Sequence, residues 1–517
     1  MAKIKILWAD DEIDLLKPHI IFLEDKGYEV TTTTSGAEAL DLVEEQRFDL
    51  VFLDENMPGI SGLETLSRIK SKHSALPVVM ITKSEEEFIM EEAIGSKISD
   101  YLIKPVNPKQ ILLTIKKNLD TSRLVSEKTT INYQQEFRSI GMSLHNNMTF
   151  EEWKEIYKKL VYWELELDKI EETGLNEILQ TQKDEASHLF SRFIEENYID
   201  WLRDGEDAPL MSPNVIKEKV APHISDDTST FLIVVDNLRY DQWEILKPKI
   251  HEYFWIDEED TYLSILPTTT QYARNALFAG LMPSEIEKMY PKLWVNDEEE
   301  GGKNMSEEEL LGLNLKRLGK DTRYNYYKVL NQSFGRKVVD EIPNMMKNKF
   351  NVLVYNFIDM LSHARTDTNV IKELAEDESA YRSLTLSWFE HSSFMEAIKV
   401  LASKKAQVIL TTDHGSIKVK NPSKVIGDKN VNTNLRYKQG KNLSYESKDV
   451  FHIKEPKDAF LPRVNMSQSF IFAKNDLFFA YPNNYNHYVQ YYRDTFQHGG
   501  ISLEEMMVPL VKLSPKG

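Results

Sequence analysis

FDLVFLDENMPGISG, residues 48–62, runs from an apolar stretch straight into an acid, Asp54, and then into a Pro-Gly turn. An apolar run this short, bounded by turn residues, reads as an interior strand. Working outward from it, similar runs occur at Ile4–Trp8, Glu29–Thr34, Val78–Thr82 and Asp100–Ile103. Amphipathic stretches such as Ala37–Glu45 and Leu63–Ser71 lie between them. Five strands alternating with helices imply an α/β, doubly wound parallel sheet over residues 1–120.

In such a sheet, chemistry gathers beyond the carboxyl ends of the strands. Asp10 and Asp11 follow the first strand, Asp54 follows the third, Thr82 ends the fourth, and Lys104 precedes Pro105 after the fifth. Three carboxylates at one edge repel unless a hard cation such as Mg²⁺ joins them, and that cation also neutralises an incoming phosphoryl group. Lys104 adds a point positive charge, and Thr82 a hydroxyl for a phosphoryl oxygen. Together DDEIDLL, LDENMPGISG, ITK and YLIKPV resemble the receiver domain of bacterial response regulators. The resemblance implies that Asp54 accepts phosphate from a histidine kinase. It implies that Asp10, Asp11, Asp54 and the Asn56 backbone carbonyl hold Mg²⁺. It also places Tyr101 where that family carries its switch aromatic.

Residues 121–205 are rich in Glu, Lys, Leu, Trp and Tyr, with amphipathic helices expected at Phe150–Leu167 and Ile178–Tyr198. They read as a helical connector that carries a signal or forms a dimer contact. A break at residues 206–230 leads into a larger α/β pattern that fills 206–517. FLIVVDN (231–237), NVLVYNFID (351–359) and AQVILTTDHG (406–415) each read as a buried strand ending in an acid, so Asp236, Asp359 and Asp413 should converge. Asp359 and His363 stand four apart and share a face if a helix begins there. Gly415 permits a tight turn after Asp413-His414, and His498 lies on a Gly-rich loop.

The chain has no cysteine, so a metal must use His, Asp, Glu or hydroxyl ligands. Four acids or imidazoles could hold one zinc, whereas six with a hydroxyl fit two ions about 3.5–4 Å apart. One ion would take Asp359, His363 and His498. The second would take Asp236, Asp413 and His414, with the Thr270 oxygen. A threonine so placed loses its proton more readily and can attack phosphorus in line.

The succession strand-Asp, PTTTQYARNALFAG (267–280), D-x-x-x-H, TDHG and HGG resembles the alkaline phosphatase superfamily, in particular its PglZ branch. The resemblance implies the same order of ligands and selects Thr270, three residues after Pro267, as nucleophile. Where relatives carry Asn-His this chain has Ala273-Arg274, and Arg274 is expected to meet a phosphate oxygen instead. Receiver, helical connector and PglZ-type domain together resemble PorX-type response regulators. That implies a zinc-dependent phosphodiesterase acting on cyclic or linear oligonucleotides, a partner histidine kinase, a phosphorylation-dependent homodimer and control of type IX protein secretion. The rival is a metal-bound docking module that regulates transcription without turnover, its partner a transcription factor or a secretion-system protein.

The net charge of -19 argues against broad nucleic-acid binding and against a DNA-binding regulator. No apolar run reaches 18 residues and the N-terminus lacks a signal peptide, so the expected compartment is the cytoplasm. Lys418–Lys441 holds seven basic residues and one acidic one. It reads either as a phosphate-backbone contact near the site or as a solvated loop.

Overall fold

The structure, a computed structural model, describes residues 4–73, 76–83, 98–169, 173–203, 207–225, 228–297, 299, 302–320, 322–367, 375, 377–427 and 431–516. The chain divides into two compact units, Met1–Gln135 and Glu136–Gly517.

The first unit is built on five parallel strands: β1 (Lys5–Ala9), β2 (Glu29–Thr33), β3 (Leu50–Asp54), β4 (Val78–Thr82) and β5 (Asp100–Ile103). Their order is β2-β1-β3-β4-β5. Strands covered on both faces are apolar throughout, with successive residues feeding opposite cores. Ile6, Trp8, Phe52 and Ile81 pack on one face. Leu7, Val51, Leu53 and Met80 pack on the other. Helices start at side-chain caps, Ser35 for Gly36–Glu45, Ser61 for Gly62–Lys72 and Asn107 for Pro108–Ile115. The doubly wound topology read from the sequence is the one found.

The second unit holds a six-stranded mixed sheet of β6 (Thr230–Val235), β7 (Phe254–Leu263), β8 (Tyr324–Val329), β9 (Phe350–Tyr355), β10 (Gln407–Thr411) and β18 (Met507–Pro515). Its order is β7-β18-β10-β6-β9-β8. Strands β10, β6, β9 and β8 run parallel. Strand β18 lies antiparallel between β10 and β7. One correction concerns β9, which ends at Tyr355. Asp359 therefore sits in the first turn of helix Phe357–Asp367 and not at a strand end.

Seven short strands lie between β10 and β18: β11 (Ile417–Lys418), β12 (Asn421–Lys424), β13 (Tyr437–Gly440), β14 (Val450–Ile453), β15 (Ser469–Ala473), β16 (Leu477–Ala480) and β17 (Phe496–Gln497). They form three small sheets. The basic stretch belongs to this region and is not simply solvated. Arg436 and Lys438 are buried, Arg436 against Glu505 at 2.6 Å. Lys429 lies outside the described residues.

Helices Phe150–Leu167 and Thr173–Trp201 also belong to the second unit. The first opens with a capping box between Thr149 and Glu152, which satisfies amide groups the helix cannot. Trp153 packs between Phe190 and Phe193 of the second helix. A buried ion cluster fastens the pair to the sheet-bearing part. Arg382 reaches Glu164 at 2.8 Å, Asp168 at 2.6 Å and Asp241 at 2.9 Å. Lys183 pairs with Glu164 at 2.7 Å, and Arg239 with Glu378 at 3.1 Å. Glu164, Asp241 and Glu378 converge closely enough for a metal, but these cations already occupy the space between them. Among the described residues no helix is long and apolar enough to cross a membrane.

Candidate functional site

In the first unit the carboxyl ends of β1 and β3 bring Asp10, Asp11 and Asp54 together, with carboxylate oxygens within 4.8 Å of one another. Asp10 and Asp54 are buried, while Asp11 is exposed. Lys104 bridges the buried pair, 2.8 Å from Asp10 and 2.9 Å from Asp54. Burial pushes the Asp54 carboxyl above its ordinary value, and Lys104 opposes that shift. The Asn56 amide donates to Asp54 Oδ2 at 3.2 Å. Thr82 is buried at the end of β4, and the Lys104 amide donates to its carbonyl at 2.7 Å. Tyr101 lies partly buried on β5, its phenol pushed up by burial and held back by a hydrogen bond with Thr82. At position 62 a Cβ would fall 2.3 Å from the Asp54 carbonyl, so the turn closes on the acid only with glycine there.

In the second unit Asp236 follows β6, Asp413 follows β10, and Asp359 opens the helix after β9. Parallel pairing puts all three at one edge. Two triads result, Asp359/His363/His498 and Asp236/Asp413/His414, each with its ligand atoms within 4.8 Å of one another. In the first, His363 Nε2 lies 3.6 Å and His498 Nε2 3.7 Å from Asp359 Oδ1. In the second, His414 Nε2 lies 3.9 Å from Asp236 and 3.6 Å from Asp413. The rings of His414 and His498 stack with centroids 4.3 Å apart, so the triads adjoin.

These groups suit a pair of cations. His414 Nδ1 donates to the Gly415 carbonyl at 3.0 Å and His498 Nδ1 to the Thr268 carbonyl at 3.1 Å. Each ring therefore turns its Nε2 lone pair toward the acids, the usual orientation of a metal-binding imidazole. Burial lowers His414 to about 4 and His498 to about 3, so both rings are neutral near pH 7. Asp359 Oδ1 and Asp413 Oδ2 are buried acceptors without a hydrogen-bond donor. Buried carboxylate oxygens of that kind call for a cation.

Thr270 begins a wide helical turn, Thr270–Arg274. Its Oγ1 stands 3.3 Å from Asp236 Oδ1 and 3.2 Å from His414 Nε2. Thr268 is engaged elsewhere. Thr268 Oγ1 donates to the Gly500 carbonyl at 3.0 Å and accepts from the Gly499 amide at 2.9 Å, pinning the loop that carries His498. Thr269 is buried.

Arg274 lies against the Asp236/Asp413/His414 triad. It is 0% exposed, 2.8 Å from Asp236 and 2.7 Å from Glu307. Its guanidinium is paired with the buried carboxylates of Asp236 and Glu307, contacts that the sequence does not reveal. Several supporting residues were invisible in the sequence reading. Glu307 accepts from Arg274 and pairs with Lys328 at 3.1 Å. Asn237, at φ 64°, donates its amide to Asp413 at 3.4 Å and its side chain to Ser362 at 3.4 Å, tying one triad to the helix of the other. Glu505 holds the Gly500 amide at 2.9 Å and is itself held by Arg436. The D-N and LEE strings in which two of these lie are too common to signal a role.

An acid pocket at a receiver-type sheet, joined in one chain to paired acid-imidazole triads beside a threonine, defines a response regulator with an alkaline phosphatase-like effector. Family models match along the chain: the response regulator receiver domain at residues 6–116, the PorX response regulator linker domain at 123–202, and the BREX system PglZ alkaline phosphatase-like domain at 215–513. The chain belongs to the PglZ alkaline phosphatase-like family, in the PorX-type arrangement of receiver, linker and PglZ domain. Among curated relatives, the alginate biosynthesis transcriptional regulatory protein AlgB of Pseudomonas syringae is 32% identical over 142 residues, 28% of this chain and 32% of its own length. The transcriptional regulatory protein ZraR of Klebsiella oxytoca is 34% identical over 152 residues, 28% of this chain and 34% of its own. The chain thus spans about a third of the length of these relatives. A solved structure of the chemotaxis response regulator CheY4 of Vibrio cholerae is 32% identical, covering 23% of this chain and 100% of that one at TM-score 0.22.

Proposed function

We propose that this protein is a two-component regulator whose receiver is phosphorylated on Asp54 by a histidine kinase and whose effector is a zinc-dependent phosphodiesterase acting on cyclic or linear oligonucleotides. The observation that carries the reading is the convergence of Thr270 Oγ1 on Asp236 and His414, inside a pair of adjoining acid-imidazole triads. Asp359, His363 and His498 would hold one zinc, and Asp236, Asp413 and His414 the other. Bound there, the ions supply positive charge for the phosphoryl oxygens and lower the pKa of the attacking hydroxyl.

The remaining work falls to the chain itself. Thr270 Oγ1 forms a bond to phosphorus, the P–O bond to the departing alcohol breaks, and water then cleaves the phosphothreonine ester to restore the hydroxyl. His414 and His498 stay neutral and fixed through their Nδ1 bonds to backbone carbonyls. Arg274 keeps Asp236 oriented.

In the receiver, Asp10, Asp11, Asp54 and the Asn56 carbonyl would hold Mg²⁺. A phosphoryl group on Asp54 meets Lys104 and draws Thr82, with Tyr101 following through its hydrogen bond to that threonine. The PorX-type arrangement supports a role in controlling type IX secretion from the cytoplasm, with a secretion-system protein or transcription factor downstream.

A bis-aryl phosphodiester assay on zinc-loaded protein tests the enzyme reading. Turnover that disappears in Thr270→Val supports it. Equal rates in the two proteins, or no turnover in either, would leave the docking-module reading standing.

A further inference from the structure

A polar cavity of about 510 Å³ opens beside the triads, lined among others by Asp297, Asn432, Thr433, Asn434, Tyr437 and Gln439. Its volume is that of a small-molecule site, where roughly 300–1,000 Å³ is usual. The cavity is tied to the reacting centre from two directions. On one side Asn434 donates to the His498 carbonyl at 3.2 Å. Gly499, at φ 124°, lets that loop approach, since a Cβ there would fall 2.9 Å from Asn434 Oδ1. On the other side Gln271, the neighbour of Thr270, donates to the Val295 carbonyl at 2.9 Å and also bonds Asp297. The next residue, Tyr272, places its hydroxyl 3.4 Å from Asp297 and 3.1 Å from Gln439.

The lining is selective in its chemistry. Among the described residues these side chains are amides, hydroxyls, one valine and one carboxylate. A carboxylate set among such groups offers acceptors to a neutral ligand rich in N–H donors. The carboxylate is held in place on Oδ2, by Tyr437 at 2.8 Å and more loosely by Asn432 at 3.5 Å. Burial raises its pKa and the hydroxyl of Tyr437 counters that shift.

We infer that this cavity is a nucleobase subsite and that Asp297 selects bases offering N–H donors on their pairing edge, guanine first. Guanine presents its ring N–H and exocyclic amino group side by side, a match for a carboxylate, whereas uracil flanks its single N–H with two carbonyls. The inference rests on the phosphodiesterase reading of Thr270, whose neighbours Gln271 and Tyr272 bond the cavity-lining Asp297.

The test uses the full-length zinc-loaded protein. The kcat/KM for the p-nitrophenyl esters of guanosine and uridine 5′-monophosphate is compared with that for bis(p-nitrophenyl) phosphate, and binding of the two free mononucleotides is measured by calorimetry. Wild type should favour guanosine over uridine by about tenfold, the worth of one hydrogen bond to a charged group. Asp297→Asn should bring that ratio close to one. Thr433→Trp, at an exposed position where folding is spared, should fill the cavity and lower kcat/KM for both nucleotide esters relative to the bis-aryl ester. Base-blind turnover with an indifferent Thr433→Trp would overturn the subsite while leaving the enzyme reading intact. If no ester turns over, the enzyme reading fails. Guanosine monophosphate binding that is tighter than uridine monophosphate binding, and weakened by Thr433→Trp, then still supports the subsite; equal binding overturns it.

Discussion

Arg274 carries a full positive charge into an acid-rich part of the second unit without reaching solvent. Asp236, Glu307 and Asp413 all lie within 3.8 Å of its guanidinium. Replacing it with methionine leaves buried carboxylates uncompensated, at a cost of about 3–5 kcal/mol. Denaturant unfolding of metal-free Arg274→Met should show that loss, and zinc should restore part of it by supplying positive charge to Asp236. Lys104 plays the same part for Asp10 and Asp54, so Lys104→Met should weaken the first unit in the same assay. At this scale the sequence was informative wherever an acid or imidazole ended an apolar run, because strand direction alone sends such residues to one edge. The pairing of Arg274 with Asp236 and Glu307 was not legible, because burial is a property of neighbours far away in the chain. Glu307 sits in an EEEL string at a helix start and looks like any solvated acid; only the fold shows it facing inward.

Helices Phe150–Leu167 and Thr173–Trp201 owe their attachment to a few charged side chains as much as to apolar packing. Arg382→Met removes the residue that joins Glu164, Asp168 and Asp241, and should cost about 3–5 kcal/mol. Hydrogen exchange should quicken first in these two helices. The cluster also sets a pH window. Burial pushes the Asp241 carboxyl up, but Arg239 and Arg382 outweigh it and hold the group at about 2. An unfolded aspartate titrates near 3.9, so the stability this group provides is present above about pH 4 and is lost as pH falls toward 2. Stability measured from pH 5 to 2 should fall less steeply in Asp241→Asn than in wild type. Helix periodicity made both elements readable in the sequence, and the end of β9 was not, because apolar residues continue from the strand into helix Phe357–Asp367. Charge counts in the basic stretch likewise do not reveal that Arg436 has a buried partner in Glu505, almost seventy positions on.

Across the whole molecule one device appears twice: carboxylates at the carboxyl ends of a parallel sheet, buried and neutralised by a nearby cationic side chain. For the proposed switch, beryllofluoride standing in for the phosphoryl group should raise the dimer fraction of wild type in analytical ultracentrifugation. Asp54→Ala should show no change, and an equal response in that variant would remove Asp54 from the switch. Family motifs made the division of the chain into units legible, whereas the buried contacts that support each site leave no sequence signal.

Strand β18 lies between β10 and β7, yet of the six strands in that sheet it is the last to be synthesised. Translation runs at about 5–20 residues per second, so β10 and β7 wait with unpaired edges until the final stretch emerges. The receiver sheet is finished long before. A frameshift or stop codon between the receiver and Met507 would therefore yield a product that keeps the receiver's acid pocket but lacks the strand that joins β10 to β7. In a cell also making the intact protein, such an allele should behave as a dominant-negative.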